Sequence, residues 1–475
     1  MAWLLWSLAL VELVIAWPGL SNRQAVPKLV PFPEYPGTPY QALFDEFDPE
    51  AQLVSVHGDH EYQDPGPEDM RGPCPGLNAA ANHNYIPRDG IATLESINTG
   101  LWKAYGIDQT ATLLLHLITN FFDGNPLTQE WSIGYASHKV SGLGSLAEKL
   151  PGLPLNLLGE TVSSLPLGQL EEELLGLPTG ICAYGHLKAE SDSSITRGDF
   201  LAPDMNSNCA SYPEFYNQLL ELSNKRANGC ITAPVLAEHQ HNRKLHSIAT
   251  NPNYFAPPVA SLAFAPAAHT FVWALMANHS AEQPRGFLEH HVLDEFFSYK
   301  VQPDGSRKYS YGKERIPENW YRRSHKNPWT LVDLVSGVAS QCLAYPSTCH
   351  IGGNTGTVNS FQGVDLGDIS GGLLNVAEDL QDPTRLGCFL AQSIQAEVPS
   401  SLEKIFHGAA LDKVLALVDE TLLPALSDLL RGCPNLPPGK TMSQYASKYP
   451  GAAARSGNRA ETAKDSNGYP EDAPR

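Results

Sequence analysis

Apolar residues recur at helical spacing through most of the chain. Leu94, Ile97, Leu101 and Tyr105 fall on one helical face, and Leu114, Leu117, Ile118 and Phe121 form another behind the capping candidate Asp108. The same period predicts a helix entered at Pro213 and running through Phe215, Leu219 and Leu222 towards Gly229, with Ser211 and Glu214 as a capping box. Further helices are predicted over about 235–248, around Phe287, Leu288, Val292, Phe296 and Phe297, and through Val414, Leu415, Val418, Leu422 and Leu426, bent or restarted at Pro424. Period-two alternation is confined to short pieces such as Tyr299 to Val301. The pattern predicts a mainly α protein: a single large helical domain with long loops and few short strands.

The stretches between these elements set the organisation. Met1 to Ala16 reads as a signal peptide built on Leu4, Leu5, Leu8, Leu10, Leu13, Val14 and Ile15. It lacks a Lys or Arg ahead of the apolar stretch and carries Glu12 within it, so an uncleaved leader or short anchor stays open. Residues 17–70, rich in Pro, Asp and Glu, read as an extended arm, 71–330 as the main domain, and 331–450 as a C-terminal helical extension packed on the body. Leu, Pro and Gly repeated over 139–180 predict a long insertion, and 451–475 reads as a disordered tail.

Composition narrows the function classes. Apolar residues make up 42% of the 475 and charged residues 17%, which describes a globular body. The net charge of −19 argues against a nucleic-acid partner, because a phosphate-binding face needs a basic stripe. No internal apolar run is long enough to span a bilayer. The leader predicts a secreted, extracellular protein, in which disulfides are permitted and Asn278-His279-Ser280 is a glycosylation candidate.

Cys74 stands between Pro73 and Pro75, ahead of Gly76-Leu77-Asn78-Ala79-Ala80-Ala81, which can begin a helix. Free amides at a helix start donate to a thiolate and lower its pKa, as a stable iron–sulfur bond requires. On spacing alone a disulfide half-cystine is the favoured reading, since the eight cysteines permit four bridges.

The longer string decides between these. Arg71-Gly72-Pro73-Cys74-Pro75-Gly76-Leu77-Asn78 followed by Ala81-Asn82-His83-Asn84-Tyr85-Ile86-Pro87-Arg88-Asp89-Gly90 closely resembles the proximal signature of the fungal haem-thiolate peroxidases, the family of chloroperoxidase and the unspecific peroxygenases. The resemblance implies a haem-thiolate peroxidase-like fold, haem b with Cys74 as axial ligand, and amides of Gly76 and Leu77 bonded to the sulfur. Seven cysteines then remain, enough for three disulfides and one free thiol. The stretch from Glu190 through Ser191, Asp192 and Ser194 to Arg197 resembles the block that holds a Mg or Mn ion beside a haem propionate, implying Glu190, the Ser191 carbonyl and Ser194 as ligands. Ser247 to Tyr254 resembles the segment leading into the distal helix. The implied activity is oxidation or oxygenation of small apolar or aromatic organic molecules with hydrogen peroxide.

The departures lie on the distal side. Peroxide activation needs a group that takes a proton from peroxide and returns it to the departing oxygen. Relatives use a Glu aided by His or Arg, and those positions align with Ala268, Ser191 and Ser261. His269 is the substitute base that the sequence offers, alongside a purely structural role for it, and a helical neighbour points about 100° away. The alternative is a catalytically impaired haem-thiolate homologue. Phe264, Phe271 and Trp273 are candidate pocket lining. His239, His241 and His246 read as a solvated helix, His290 and His291 as helix-edge residues, and Gly352 to Gly356 as a loop without a phosphate role.

Overall fold

The computed structural model describes residues 47–453 apart from 127–128, 136, 138–179, 183–185, 206, 375, 377–378, 380–381, 403–407, 431–432 and 435–440. The leader, the arm before residue 47, nearly all of the 139–180 insertion and the tail beyond 453 lie outside the described residues.

The first half of the body is built from α1 (Pro75–Asn82), α2 (Leu94–Tyr105) and α3 (Gln109–Asp123). Caps explain their ends. Thr93 and Ser96 form a capping box at the start of α2, and Gly106 closes it in the left-handed region at φ 68°. Asp108 accepts the amides of Thr110 and Ala111 at the start of α3, as the sequence predicts.

A second layer follows in α4 (Pro213–Ala227), α5 (Ala233–Thr250), α6 (Ala265–Leu275) and α7 (His290–Phe296). The capping box expected at Ser211 does not form. Tyr212 occupies the N-cap with Pro213 at N1, and the Ser211 hydroxyl lies 2.8 Å from that of Tyr299. Helix α7 is shorter than its apolar pattern, because Phe287 exchanges both backbone hydrogen bonds with Asn278.

The C-terminal part supplies α8 (Leu331–Ala344), α9 (Pro383–Leu402), α10 (Gly408–Leu417) and α11 (Leu423–Leu430). A π turn at Val418–Leu422 joins α10 to α11 without a break, and Pro424 follows it directly, where its missing N–H cannot bond back to the preceding turn. Leu334 and Val338 of α8 and Leu386 and Leu390 of α9 belong to the same core cluster as Ile97, Leu117 and Val272. Helix α6 packs between α5 and α8, and α9 lies on α3.

Strands are short and antiparallel: β1 (Ile91–Thr93), β2 (Gly124–Asn125) and β3 (Glu130–Ser132) in the order β1-β3-β2, β4 (Phe255–Ala256) with β7 (Gly352–Gly353) and β8 (Gln362–Gly363), and the hairpin β5 (Tyr299–Val301) and β6 (Arg307–Tyr309). Register Gly124↔Trp131 sets Trp131 against the end of α3. The architecture is mainly α, as predicted.

Three bridges, Cys182–Cys209, Cys342–Cys349 and Cys388–Cys433, leave Cys74 and Cys230 as thiols. The reading of the His239 helix as solvated is corrected: α5 buries His239, Arg243 and Lys244. Its polar groups are held by loops on either side, His239 at the Ile195 carbonyl, Arg243 at that of Ser194 and Lys244 at those of Thr348 and His350. No helix among the described residues is long and apolar enough to cross a membrane.

Candidate active site

Cys74 is the N-cap residue of α1, in extended backbone at φ −90°, with Pro75 at N1. Proline there removes an amide that no helical carbonyl could accept. The next free amides, of Gly76 and Leu77, lie near enough to the Cys74 sulfur to favour its charged form, though neither closes a cap hydrogen bond on it. Tyr105 from α2 donates to the Gly76 carbonyl at 2.7 Å and steadies the turn.

The signature residues around Cys74 act on the backbone that carries it. Asn78 bonds both the N–H and the C=O of Gly72. Asn82 accepts from Arg71 and donates to the carbonyls of Gly312 and Glu314, tying α1 to a segment over 200 positions on. Arg88 closes onto the Asn82 and Glu61 carbonyls, and Asp89 accepts the Ile91 amide. Gly72 has no alternative, since a Cβ there would stand 1.8 Å from the Ile133 carbonyl oxygen.

Burial pushes the Cys74 thiol up, opposed by the Leu77 and Gly76 amides and then by the Arg197 guanidinium. Arg197 is itself fully buried. Its Nε donates to the Pro73 carbonyl at 3.0 Å, and its other nitrogens reach the Tyr309 hydroxyl at 2.8 Å and Glu314 at 3.4 Å. A positive charge is thus fixed one residue from the sulfur.

Cys74 opens onto a cavity of about 210 Å³. Its mainly apolar walls come from Ile97, Leu101 and Tyr105 on α2, Leu115 and Thr119 on α3, Phe264 just ahead of α6, and Ala268, Phe271, Val272 and Leu275 along one stripe of α6. Glu190, Ser191, Ser194, Thr196 and Arg197 line the loop side. The structure therefore brings together Cys74, Gly76, Leu77, Glu190, Ser191 and Ser194.

His269 is not among the lining residues, which corrects its expected place. Ala268 takes the cavity face of α6, so the next residue turns towards α5: His269 is fully buried, its Nδ1 bonds the Ala265 carbonyl at 2.8 Å, and its ring lies 6.1 Å from that of His239. Burial holds it neutral, with the pKa down to about 4. Ser261 spends its hydroxyl on the Pro257 carbonyl, and Trp273 does not reach the lining either.

Around Glu190 the structure assembles more than the sequence reading contained. His186, Glu190 and Asp192 are buried, with ligand-type atoms all within 4.8 Å of one another. His186 Nδ1 stands 3.1 Å from Glu190 Oε2 and 3.8 Å from Asp192 Oδ1. Glu190 Oε1 lacks a partner in hydrogen-bond geometry, although Asn208 lies close enough to favour the charged form. Burial raises Glu190 to about 8 and pushes Asp192 well up. Ser191 turns its hydroxyl to the Asp192 carbonyl, and the Ser194 carbonyl is taken by Arg243.

His116 was missed altogether. It lies on α3 inside the apolar run Leu113 to Phe122, without a motif around it, yet it lines the cavity.

The donor set fits a haem. A free thiol at a helix start faces a largely apolar slot, and the unpartnered polar atoms Glu190 Oε1, Thr196 Oγ1 and His116 Nε2 all belong to wall residues. The fold and this site define the class of haem-thiolate peroxidases.

Comparison with known proteins agrees. Residues 60–325 match the family described as "Peroxidase, family 2", more than half of the chain. The chain is 33% identical over 419 residues to the aromatic peroxidase fscJ of Fusarium equiseti, covering 86% of each. It is 33% identical over 394 residues to the dothistromin biosynthesis peroxidase dotB of Dothistroma septosporum, 82% of this chain and 84% of that one. The aromatic peroxygenase of Coprinellus radians is 28% identical over 249 residues, 50% of this chain and 82% of its own. The chain belongs to the fungal haem-thiolate peroxidase family, and it is an enzyme of the haem-thiolate peroxidase and peroxygenase type.

Proposed function

We propose that Cys74 is the axial ligand of haem b in a secreted enzyme that uses hydrogen peroxide to oxidise or oxygenate small organic molecules. The observation that carries this is Cys74 itself: an unbridged thiol at a helix start, beside the Gly76 and Leu77 amides, lining a cavity walled by α2, α3 and α6. Haem bound through that sulfur supplies the two-electron chemistry of peroxide.

The chain's own residues do the rest. The two amides and Arg197 favour the Cys74 sulfur as a thiolate against its burial, the form in which it would hold the haem iron. Asn78, Asn82 and Arg88 hold the loop in that geometry. The stripe from Phe264 to Leu275 excludes water and offers flat apolar surface to an organic substrate.

A Mg or Mn ion belongs to the same reading, with Glu190, the Ser191 carbonyl and Ser194 as its cavity-side ligands. The buried carboxylates of Glu190 and Asp192 support a cation here, and His186 and Asp192 extend the donor set. Export rests on the Met1 to Ala16 stretch and on three bridges suited to an oxidising compartment.

The test is reconstitution with haem, reduction, and addition of carbon monoxide. A thiolate-type Soret position in the wild type that is lost in Cys74→His, with both proteins folded, is the expected result. An imidazole-type or unliganded spectrum in the wild type overturns the assignment.

A further inference from the structure

Trp131 and His116 form a buried pair at the cavity wall. The indole Nε1 lies 3.0 Å from His116 Nδ1. An indole N–H can only donate, so Nδ1 accepts, and a neutral imidazole in this position must carry its hydrogen on Nε2. His116 is 1% exposed, and burial alone lowers its pKa to about 4, so the ring is neutral at ordinary pH. Among the described residues its buried Nε2 has no partner. The pair therefore presents one fixed N–H donor and no base.

The neighbouring lining atoms do not use that donor. Thr119 on the same face of α3 spends its hydroxyl on the Leu115 carbonyl at 2.8 Å. Leu115, Ile97 and Leu101, which line the same cavity, are apolar and offer Nε2–H no acceptor. Buried donors without an acceptor are rare, and one beside a binding cavity calls for an acceptor on the occupant.

We propose that His116 is a substrate-binding residue whose Nε2–H, held by Trp131, bonds an oxygen on the organic substrate, so that the cavity selects aromatic molecules bearing a carbonyl or hydroxyl over their plain hydrocarbons. This rests on the haem-thiolate reading above and deepens it by naming a substrate class. A haem carboxylate offers the same acceptor chemistry, and the test separates the two.

Holoprotein is titrated without peroxide with 1-tetralone and with tetralin, molecules of like shape that differ in one carbonyl. Binding is read from the Soret shift and, independently, by calorimetry. In His116→Phe the Kd for 1-tetralone is expected to rise about tenfold, the effect of one hydrogen bond, with that for tetralin unchanged. His116→Asn, which keeps an N–H, recovers part of the loss. Haem content stays at the wild-type level in both variants.

Equal weakening of the two ligands, or no change in either, overturns the proposal. Loss of haem with unaltered discrimination reassigns the donor to the haem carboxylate and overturns it as well. Failure of the wild type to give a thiolate spectrum sinks the Cys74 reading instead, and calorimetry on the protein then still decides the role of His116.

Discussion

Asn78 brackets Gly72 with both ends of its side-chain amide: Oδ1 accepts the Gly72 N–H and Nδ2 donates to the Gly72 carbonyl, each at 2.9 Å. The residue four positions after Cys74 thus fixes the residue two before it. Asn78→Asp keeps the shape and the acceptor while losing the donor. It also places a carboxylate near the buried Glu314, whose own carboxyl Asn78 helps to keep charged. The expected cost is about 2 to 3 kcal/mol, the price of leaving a buried carbonyl unpaired beside an added charge. Thermal unfolding checks the stability, and slower haem uptake with an unchanged final spectrum checks that the loop, rather than the ligand, has been loosened.

The turned-away His269 gives a second prediction. Its folded pKa of about 4 is depressed below the ordinary histidine value, so the folded chain binds fewer protons at this site between about pH 6.5 and 4. The stability associated with the neutral ring is present above that window and is lost as pH falls through it. His269→Gln removes the titration while other groups, including the oppositely shifted Glu190 and Asp192, remain in both proteins. The destabilisation caused by the substitution should therefore be about 2 kcal/mol smaller at pH 5 than at pH 7.5. Turnover per bound haem should be retained. A collapse of turnover with haem in place would restore His269 as the proton-handling group.

Legibility in the sequence followed the locality of the signal. Helices with a local cap and a 3.6-residue stripe, such as Leu94–Tyr105 behind Thr93 and Gln109–Asp123 behind Asp108, were readable because all their determinants lie within a few residues. So was the Cys74 segment, whose amides are the sulfur's chain neighbours. The tertiary pairs were not. Nothing near His116 predicts Trp131, and nothing near His239, Arg243 or Lys244 predicts the carbonyls at 194–195 and 348–350 that satisfy them. Ser211 illustrates the reverse case: a valid local capping pattern was overridden by a distant hydroxyl, that of Tyr299.

The cluster at Glu190 makes a prediction about metal content. Three buried ligand-type side chains, two of them carboxylates held above their usual range by burial, would be stabilised by a divalent cation bound among them. The wild type should carry a divalent metal by elemental analysis and lose thermal stability in EDTA, and Glu190→Gln should lose both the metal and the EDTA sensitivity. His186→Ala separates the donor sets. Retention of Mg or Mn points to the Ser191 and Ser194 side, and loss places the ion between His186 and Asp192.

The last prediction restores a function rather than removing one. Ala268 stands on the cavity stripe of α6, at the position where the resemblance places the relatives' acid–base carboxylate, and its small side chain leaves a cavity of about 210 Å³ beside it. Ala268→Glu puts a carboxyl there, in apolar surroundings that raise its pKa towards neutrality and so suit it to exchange protons with peroxide. The rate of peroxide consumption by the holoprotein should rise at least tenfold, within a general acid–base contribution of about 10² to 10⁴. The gain should follow a single ionisation absent from the wild-type profile, and Ala268→Gln, of equal size and without a titrating group, should not show it. If Glu and Gln behave alike, proton transfer in this chain already has an efficient route that the Ala268 position does not limit.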